Sequence, residues 1–466
     1  MTGLRERLLA VWRRTLSLAW PISIEQAFNT LMRTTDVIVV GALSPAAVAA
    51  VGIADLYARV PMRVGFGFGA GAIALSSQDT GRGADASRDE AVSQAMLMGF
   101  LAGLPFLFLG LVFSELAIAG LGATATVAAL GGLYLTIVWA ASPVRIVAIV
   151  ASRALQGTGD PRTPMAVRTV GNVVNIVGTV SLGLGVGVVP FLGPVPQLGV
   201  LGVGIATAAA RVVETAGFLL VILAGRAQFT LVRPSNATTA RQLVAVSLPN
   251  IAEGLSTTVA NFPFNAILLG FGTEVNAAYH IGRRMYQQIT GPLYRAFSTV
   301  ASIAVGQRLG EGDPAGARFE GLAIVAIAVL TNGIAGAGLY LFADQLVLVF
   351  TRDPATAGYA ADFARLFGAV MALYGVCFPL SGALRGAGDT KTPFYARLVG
   401  EFAFTLGVSY LFGVVLGYGL PAVFVALALT YVSWSAIVGY GFLRGDWAER
   451  AASMMSERDE SRARTE

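Results

Sequence analysis

Asp36 is the residue whose type and surroundings most directly suggest chemistry. It lies in the apolar segment Thr34–Leu43. Placing a carboxylate among apolar membrane residues costs free energy, so its presence there indicates a function. Such a group can hold Na⁺ together with other oxygen ligands, or take up a proton because burial disfavours its charged form. The alternative is a structural ion pair with Arg33, which lies three residues earlier.

A second group of polar residues follows a helical repeat. Arg168, Asn172, Asn175 and Thr179 are spaced by 4, 3 and 4 residues, so a helix presents all four on one face. Asn175 and Thr179 would supply neutral oxygens to a cation beside Asp36. The alternative is that these amides and hydroxyls only bridge neighbouring helices in lipid.

Two glutamates occupy equivalent positions in the two halves of the chain. Glu25 lies 11 residues before Asp36, about three helical turns, and therefore faces the same way. Glu253 is its counterpart in the second half. With Asn172, these residues are candidates for a proton relay or for contact with a cationic substrate. A structural pairing of each glutamate with an arginine is the open alternative.

The composition places the chain in a membrane. Of its 466 residues, 55% are hydrophobic and only 13% are charged, whereas soluble domains carry about 25% charged residues. Cys377 and His280 are the only cysteine and histidine, which excludes an intrachain disulfide framework and a cysteine-ligated zinc site and argues against a His-rich metal site. With no nucleophile–base set or cofactor motif, we expect no enzyme and no cofactor beyond a coupling ion.

Segments that are long and apolar enough to cross a bilayer recur along the chain. A crossing needs about 20 mainly apolar residues, and twelve such segments are predicted, several long enough to tilt or bend: 15–43, 46–76, 91–114, 122–150, 163–188, 198–224, 241–271, 275–305, 317–343, 357–383, 392–416 and 420–444.

Arginines concentrate in every second loop, whereas the alternate loops contain only Arg352. The positive-inside rule then places both termini in the cytoplasm. We expect the protein to lie in the inner (cell) membrane. This pattern is typical of membrane topology and does not indicate nucleic-acid binding.

The chain is internally duplicated. Ser152–Met165 recurs as Ser381–Phe394 at an offset of 229 residues, and the offset also relates Asp36 to Asn265. Each half has six predicted helices, so the halves are parallel repeats about a pseudo-twofold axis along the membrane normal. The predicted divisions are a cytoplasmic segment (1–14), two six-helix lobes (15–224 and 241–444), a cytoplasmic linker (225–240) and a solvated tail (445–466).

The duplicated segment has the composition of a turn between helices. Gly157, Gly159 and Asp160-Pro161 break one helix, and Thr163 followed by Pro164 is predicted to cap and begin the next. A phosphate-binding loop would need a Gly-Lys-Ser/Thr ending and a preceding strand, and the segment has neither.

These motifs resemble the multidrug and toxic compound extrusion (MATE) family. The resemblance covers most of residues 15–444 and rests on Asp36–Gly41, on Ala49-Ala50-Val51-Gly52 and on the two copies of Ala-Leu-x-Gly-x-Gly-Asp-x-x-Thr-Pro. It implies two six-helix lobes, drug export driven by Na⁺ or H⁺, and a coupling site in which Asn175 and Thr207 accompany Asp36.

The sequence departs from the family pattern at several of these positions. Many members have Asp or Asn where this chain has Thr179. Some members also have acidic residues in the second lobe where this chain has Thr257 and Tyr374. A cation site is therefore expected in the first lobe only.

The sequence predicts a monomeric antiporter of amphipathic, cationic small molecules, with Na⁺ and H⁺ both open as the coupling ion. A lipid-linked oligosaccharide or lipid flippase is the alternative, and it would use arginines such as Arg59, Arg63 and Arg284 to hold an anionic head group. A channel is disfavoured, because it needs a continuous polar pore.

Overall fold

The structure, a computed structural model, describes residues 2–187 and 195–464, and these form helices and turns without a strand. The helices are α1 (Thr2–Leu43), α2 (Pro45–Gly81), α3 (Asp85–Ala119), α4 (Ala125–Ala140), α5 (Ser142–Gly157), α6 (Arg162–Leu184), α7 (Val200–Leu223), α8 (Ala237–Gly270), α9 (Thr273–Gly310), α10 (Pro314–Leu341), α11 (Ala343–Val347), α12 (Pro354–Gly386), α13 (Lys391–Leu398), α14 (Leu420–Arg444) and α15 (Trp447–Ala463), with a π-helical segment (Val399–Val415) continuing α13.

The long helices coincide with the predicted membrane segments. Within the described residues, eight spans are long and apolar enough to cross a membrane, and the bent pair α4 and α5 brings the number to nine. The other three predicted segments lie in α1, α2 and α9, which have 42, 37 and 38 residues. These helices exceed the length of a crossing but carry more polar side chains.

The fourth predicted segment is broken rather than continuous. Helices α4 and α5 meet at Ala141 with a bend of 49°, and Pro143 lies in the first turn of α5. Proline has no backbone N–H to continue the helical hydrogen bonds of α4, so it favours a new helix start. The span therefore ends at Gly157 and not near residue 150.

Both copies of the duplicated turn use the same backbone and capping geometry. Gly159 and Gly388 have φ angles of 90° and 82°, which other residues rarely adopt. The Asp160 carboxylate accepts hydrogen bonds from the backbone N–H groups of Arg162 and Thr163, both at 3.1 Å. The prediction that Thr163 caps this helix is therefore wrong, because the aspartate supplies the capping oxygen.

The C-terminal region differs from the solvated tail that its charge predicted. Residues Trp447–Ala463 form helix α15, with Trp447, Ala451 and Arg458 buried. The Trp447 ring stacks on Phe442 with centroids 5.0 Å apart. These three buried residues bind the helix to the rest of its compact unit, while many of its other side chains are exposed.

The chain forms two compact units. One contains residues 24–76 and 85–244, in which α6 packs on α7, and α3 packs on α4 and α5. The other contains residues 1–23, 77–84 and 245–466, in which α12 packs on α9 and α10. Helices α1 and α2 each contribute residues to both units.

Candidate cation-binding site

Asp36 of α1 meets α6 at Thr179. The Thr179 hydroxyl donates a hydrogen bond to the Asp36 carboxylate at 2.9 Å. Thr179 is fully buried, whereas Asp36 is half-buried. An ion can therefore reach the carboxylate, while the packing around Thr179 holds its hydroxyl in place. The structure thus brings together two residues that the sequence proposed for one site. The Arg33 side chain contacts the Met62 sulfur at 3.8 Å.

Asn175 lies one helical turn before Thr179 and joins α6 to α7. Its side-chain N–H donates to the Thr207 hydroxyl at 3.2 Å, and that hydroxyl donates to the Val203 carbonyl at 2.9 Å. The side-chain oxygen of Asn175 is buried and has no hydrogen-bond partner among the described residues. A buried unpaired oxygen is unfavourable by itself, so this atom is well suited to accept a cation or a water bound to one.

Tyr134 is a member of this cluster that the sequence did not indicate. Its ring packs against Gly204 of α7, and its side chain interacts with the Thr207 hydroxyl and, electrostatically, with Asp36. Tyr134 is 7% exposed. A single tyrosine in the apolar helix α4 is indistinguishable in sequence from a packing residue, and only its position beside Thr207 reveals it.

Glu25 belongs to a different ion-paired cluster. Its carboxylate lies 3.2 Å from the Arg168 guanidinium and accepts a hydrogen bond of 3.4 Å from the Gln156 amide. Glu25 is buried. The arrangement corresponds to the structural pairing that the sequence left open, and it does not test a role in proton transfer.

Asn172 lies on α6 between the Arg168 and Asn175 positions. It is fully buried, and neither polar atom of its amide has a hydrogen-bond partner among the described residues. Its predicted role as a relay or substrate contact stays a prediction, and the unpaired amide can hold a polar molecule beside it. A bound water or proton carrier would satisfy it.

Glu253 repeats the pairing of Glu25 in the second half. Its two carboxylate oxygens accept hydrogen bonds from Arg385 at 2.6 and 2.8 Å. Arg385 is the counterpart of Gln156 at the offset of 229, whereas the counterpart of Arg168, Arg397, pairs with Glu401 at 3.0 Å. Both glutamates are therefore held by arginine, although the partner comes from a different position in each repeat.

Other membrane charges pair locally. Arg211 bonds Glu214 at 2.6 Å, and Arg59 bonds Asp55 at 2.7 Å. Within the described chain, no three His, Cys, Asp or Glu side chains converge on one point. The donor set at Asp36 is thus one carboxylate with neutral hydroxyl and amide oxygens, which suits Na⁺ or a proton rather than a transition metal.

Comparison with known proteins agrees with the sequence and the fold. A family model described as MatE matches residues 21–181 and 249–418. The probable multidrug resistance protein NorM of Rhodopseudomonas palustris is 26% identical over 452 residues, 93% of each chain. The protein of the same name from Thermotoga maritima is 26% identical over 324 residues, 68% of each chain.

The fold also matches a solved structure. A crystal structure of MATE in the bent conformation aligns with a TM-score of 0.84 at 20% identity, covering 98% of this chain and 99% of that one. Transporters of that fold have twelve transmembrane helices. The predicted fold class, an all-α membrane protein with twelve transmembrane helices, is confirmed.

Proposed function

Because this chain belongs to the MatE family of membrane transporters, we propose that it is a cation-coupled secondary antiporter. It exports amphipathic, cationic small molecules in exchange for entering Na⁺ or H⁺. The observation that carries the proposal is the Asp36–Thr179 contact, beside the unpaired buried oxygen of Asn175.

Asp36 provides the coupling step. A cation or proton that enters from outside neutralises the carboxylate, while Thr179, Asn175 and Thr207 offer the remaining oxygens. Binding drives export only if the ion has different affinities for the outward-facing and inward-facing states. Parallel repeats of this kind support alternating access around a site near the bilayer centre.

The proposal includes the setting of the protein. It acts as a monomer in the inner membrane, with both termini cytoplasmic, in agreement with the arginine-rich loops. Its partners are the lipid bilayer and the small-molecule substrate, without nucleic acid.

The Arg59–Asp55 pair favours export of cations over the flippase alternative. A flippase for an anionic head group needs uncompensated arginines, but the Arg59 guanidinium is bound to the Asp55 carboxylate at 2.7 Å. This contact removes one of the arginines that the alternative would use.

The test is efflux of a cationic dye from proteoliposomes under Na⁺ and H⁺ gradients applied separately. We expect one gradient to drive efflux in the natural protein and Asp36→Asn to abolish that dependence. Asp362→Asn, which changes an exposed carboxylate paired with Arg365, is the matched control. Gradient-driven efflux that persists in Asp36→Asn would falsify the coupling role.

A further inference from the structure

A polar cavity lies inside the compact unit that contains residues 245–466. It has a volume of about 30 Å³, and helices α8, α9, α12, α13 and α14 and the π-helical segment line it. The polar groups that face it include Asn261, Tyr279, Arg283, Arg397, Glu401 and Tyr431. None of these residues belongs to the Asp36 site.

The charges of this cavity do not balance. Arg397 is bound to the Glu401 carboxylate at 3.0 Å and to the Thr257 hydroxyl at 3.3 Å. Arg283 donates at 2.9 Å to the side-chain oxygen of Asn261, a neutral amide. Glu401 is the one acidic residue among the lining groups, and arginine stays protonated in proteins, so the lining carries one net positive charge.

Aromatic rings in and beside the cavity already face the protein's own cations. The Arg397 guanidinium lies 4.4 Å from the centre of the Trp434 ring, and Arg283 lies 6.0 Å from that of Tyr279. A cationic ligand would meet both guanidinium groups, and the faces of Trp434 and Tyr279 are already occupied by arginines. The hydroxyl groups of Tyr279 and Tyr431, which also line the cavity, instead offer donors to an anion.

The sequence repeat shows where the positive charge originates. At the offset of 229, Arg397 corresponds to Arg168 and Glu401 to Asn172, whereas Arg283 corresponds to Ala54. The first repeat places its carboxylate, Asp36, where the second has Asn265. The first repeat therefore has a carboxylate where the second has an amide, and the second has an arginine where the first has an alanine.

From these observations we propose that the cavity binds a monovalent anionic group, held chiefly by Arg283 with Arg397 beside it. The volume admits an ion of the size of chloride or the carboxylate end of a larger molecule. The side chains of Arg397 and Glu401 are 17% and 13% exposed, so the ligand has access. The anion compensates a charge that is costly in a membrane interior.

The test is thermal unfolding of the purified full-length protein in nanodiscs, at constant Na⁺, with chloride, benzoate or gluconate as the anion. Gluconate, whose carboxylate is attached to a strongly hydrated polyhydroxyl chain, serves as the weakly binding reference. The concentration dependence of the melting temperature gives an apparent Kd. A higher melting temperature with chloride alone would show that a free inorganic ion binds the cavity. A larger increase with benzoate would show that the cavity prefers an organic carboxylate. Either outcome supports the site.

Three variants decide whether the shift comes from this cavity. Arg283→Gln should weaken binding by about tenfold or more, because a charge-assisted hydrogen bond is lost. Glu401→Gln should tighten it, because Arg397 is freed for the ligand. Arg365→Gln, which changes an exposed residue paired with Asp344, should leave it unchanged.

The Glu401→Gln result keeps the proposal testable even if Arg283→Gln folds poorly. Weaker anion binding in Glu401→Gln, equal binding in Arg283→Gln, or no shift with either anion would each overturn the site. Because the Asp36→Asn variant leaves this cavity intact, its loss of ion-driven efflux is independent of the anion measurement.

Discussion

Arg458 and Asp79 form an ion pair at 2.9 Å with side chains only 1% and 0% exposed. Arg458 belongs to helix α15, and Asp79 to the last turns of α2. Asp79 also binds Arg82 at 2.9 Å, and Arg450 of α15 binds Asp389 of the second duplicated turn at 3.0 Å. The C-terminal helix is therefore anchored through charges to the ends of two long helices.

Arg458→Met should destabilise the protein, because it leaves a buried carboxylate with one partner fewer. Breaking a buried pair costs about 3–5 kcal/mol, and Arg82 keeps the expected loss near the lower end, about 3 kcal/mol. Thermal unfolding in detergent measures it. Arg365→Met, in an exposed pair, should change stability by less than about 1 kcal/mol; equal effects of both variants would contradict the docking of α15.

Thr179→Val should change the affinity of the site for the coupling ion without unfolding the protein. The change keeps the side-chain shape and removes the hydroxyl that donates to Asp36, and a hydrogen bond to a charged group is worth about 1.5–3 kcal/mol. If the ion is Na⁺, we expect the concentration for half-maximal efflux to rise roughly tenfold, because an oxygen ligand is lost. If the ion is H⁺, we expect that concentration to fall by a similar factor, because the charged carboxylate loses a stabilising hydrogen bond. Val408 is the counterpart of Thr179 in the second repeat, so Val408→Thr is the control and should leave that concentration unchanged.

The long apolar segments and the repeat predicted the helices because lipid requires a minimum length of apolar chain. The pairing of Asp36 with Thr179 could also be predicted. Both residues differ from their counterparts in the second repeat, and Thr179 lies on the polar face of its helix. Tyr134 and the Arg458–Asp79 pair could not be predicted, since a buried polar residue carries no local sequence signal of a partner that is distant along the chain. Likewise, only the backbone showed that Asp160, and not Thr163, caps α6.

Glu25→Gln and Glu253→Gln separate a structural role from a proton relay. Each leaves an arginine without its carboxylate, and the Glu25–Arg168 pair is more buried, at 4% and 11% exposed against 12% and 19% for Glu253–Arg385. If the pairs are structural, both variants lower the melting temperature, Glu25→Gln more strongly, and efflux keeps its ion dependence. An unchanged melting temperature with loss of H⁺-driven efflux in Glu25→Gln would instead identify a relay.

Gly386→Ala should destabilise the protein more than Gly157→Ala, although the two glycines are counterparts in the duplicated motif. A methyl group at Gly386 would collide with the backbone carbonyl of Ser302, whereas at Gly157 it would meet mainly the Ser76 side chain, which can move. Backbone cannot yield in a packed helix pair without separating the helices. Gly439→Ala is the control, because its methyl would meet only Leu380 at 4.0 Å, and alanine is the better helix former. Thermal unfolding should rank the variants Gly439→Ala, Gly157→Ala, Gly386→Ala in falling stability, and a different order would mean that the glycines are not held by these helix contacts.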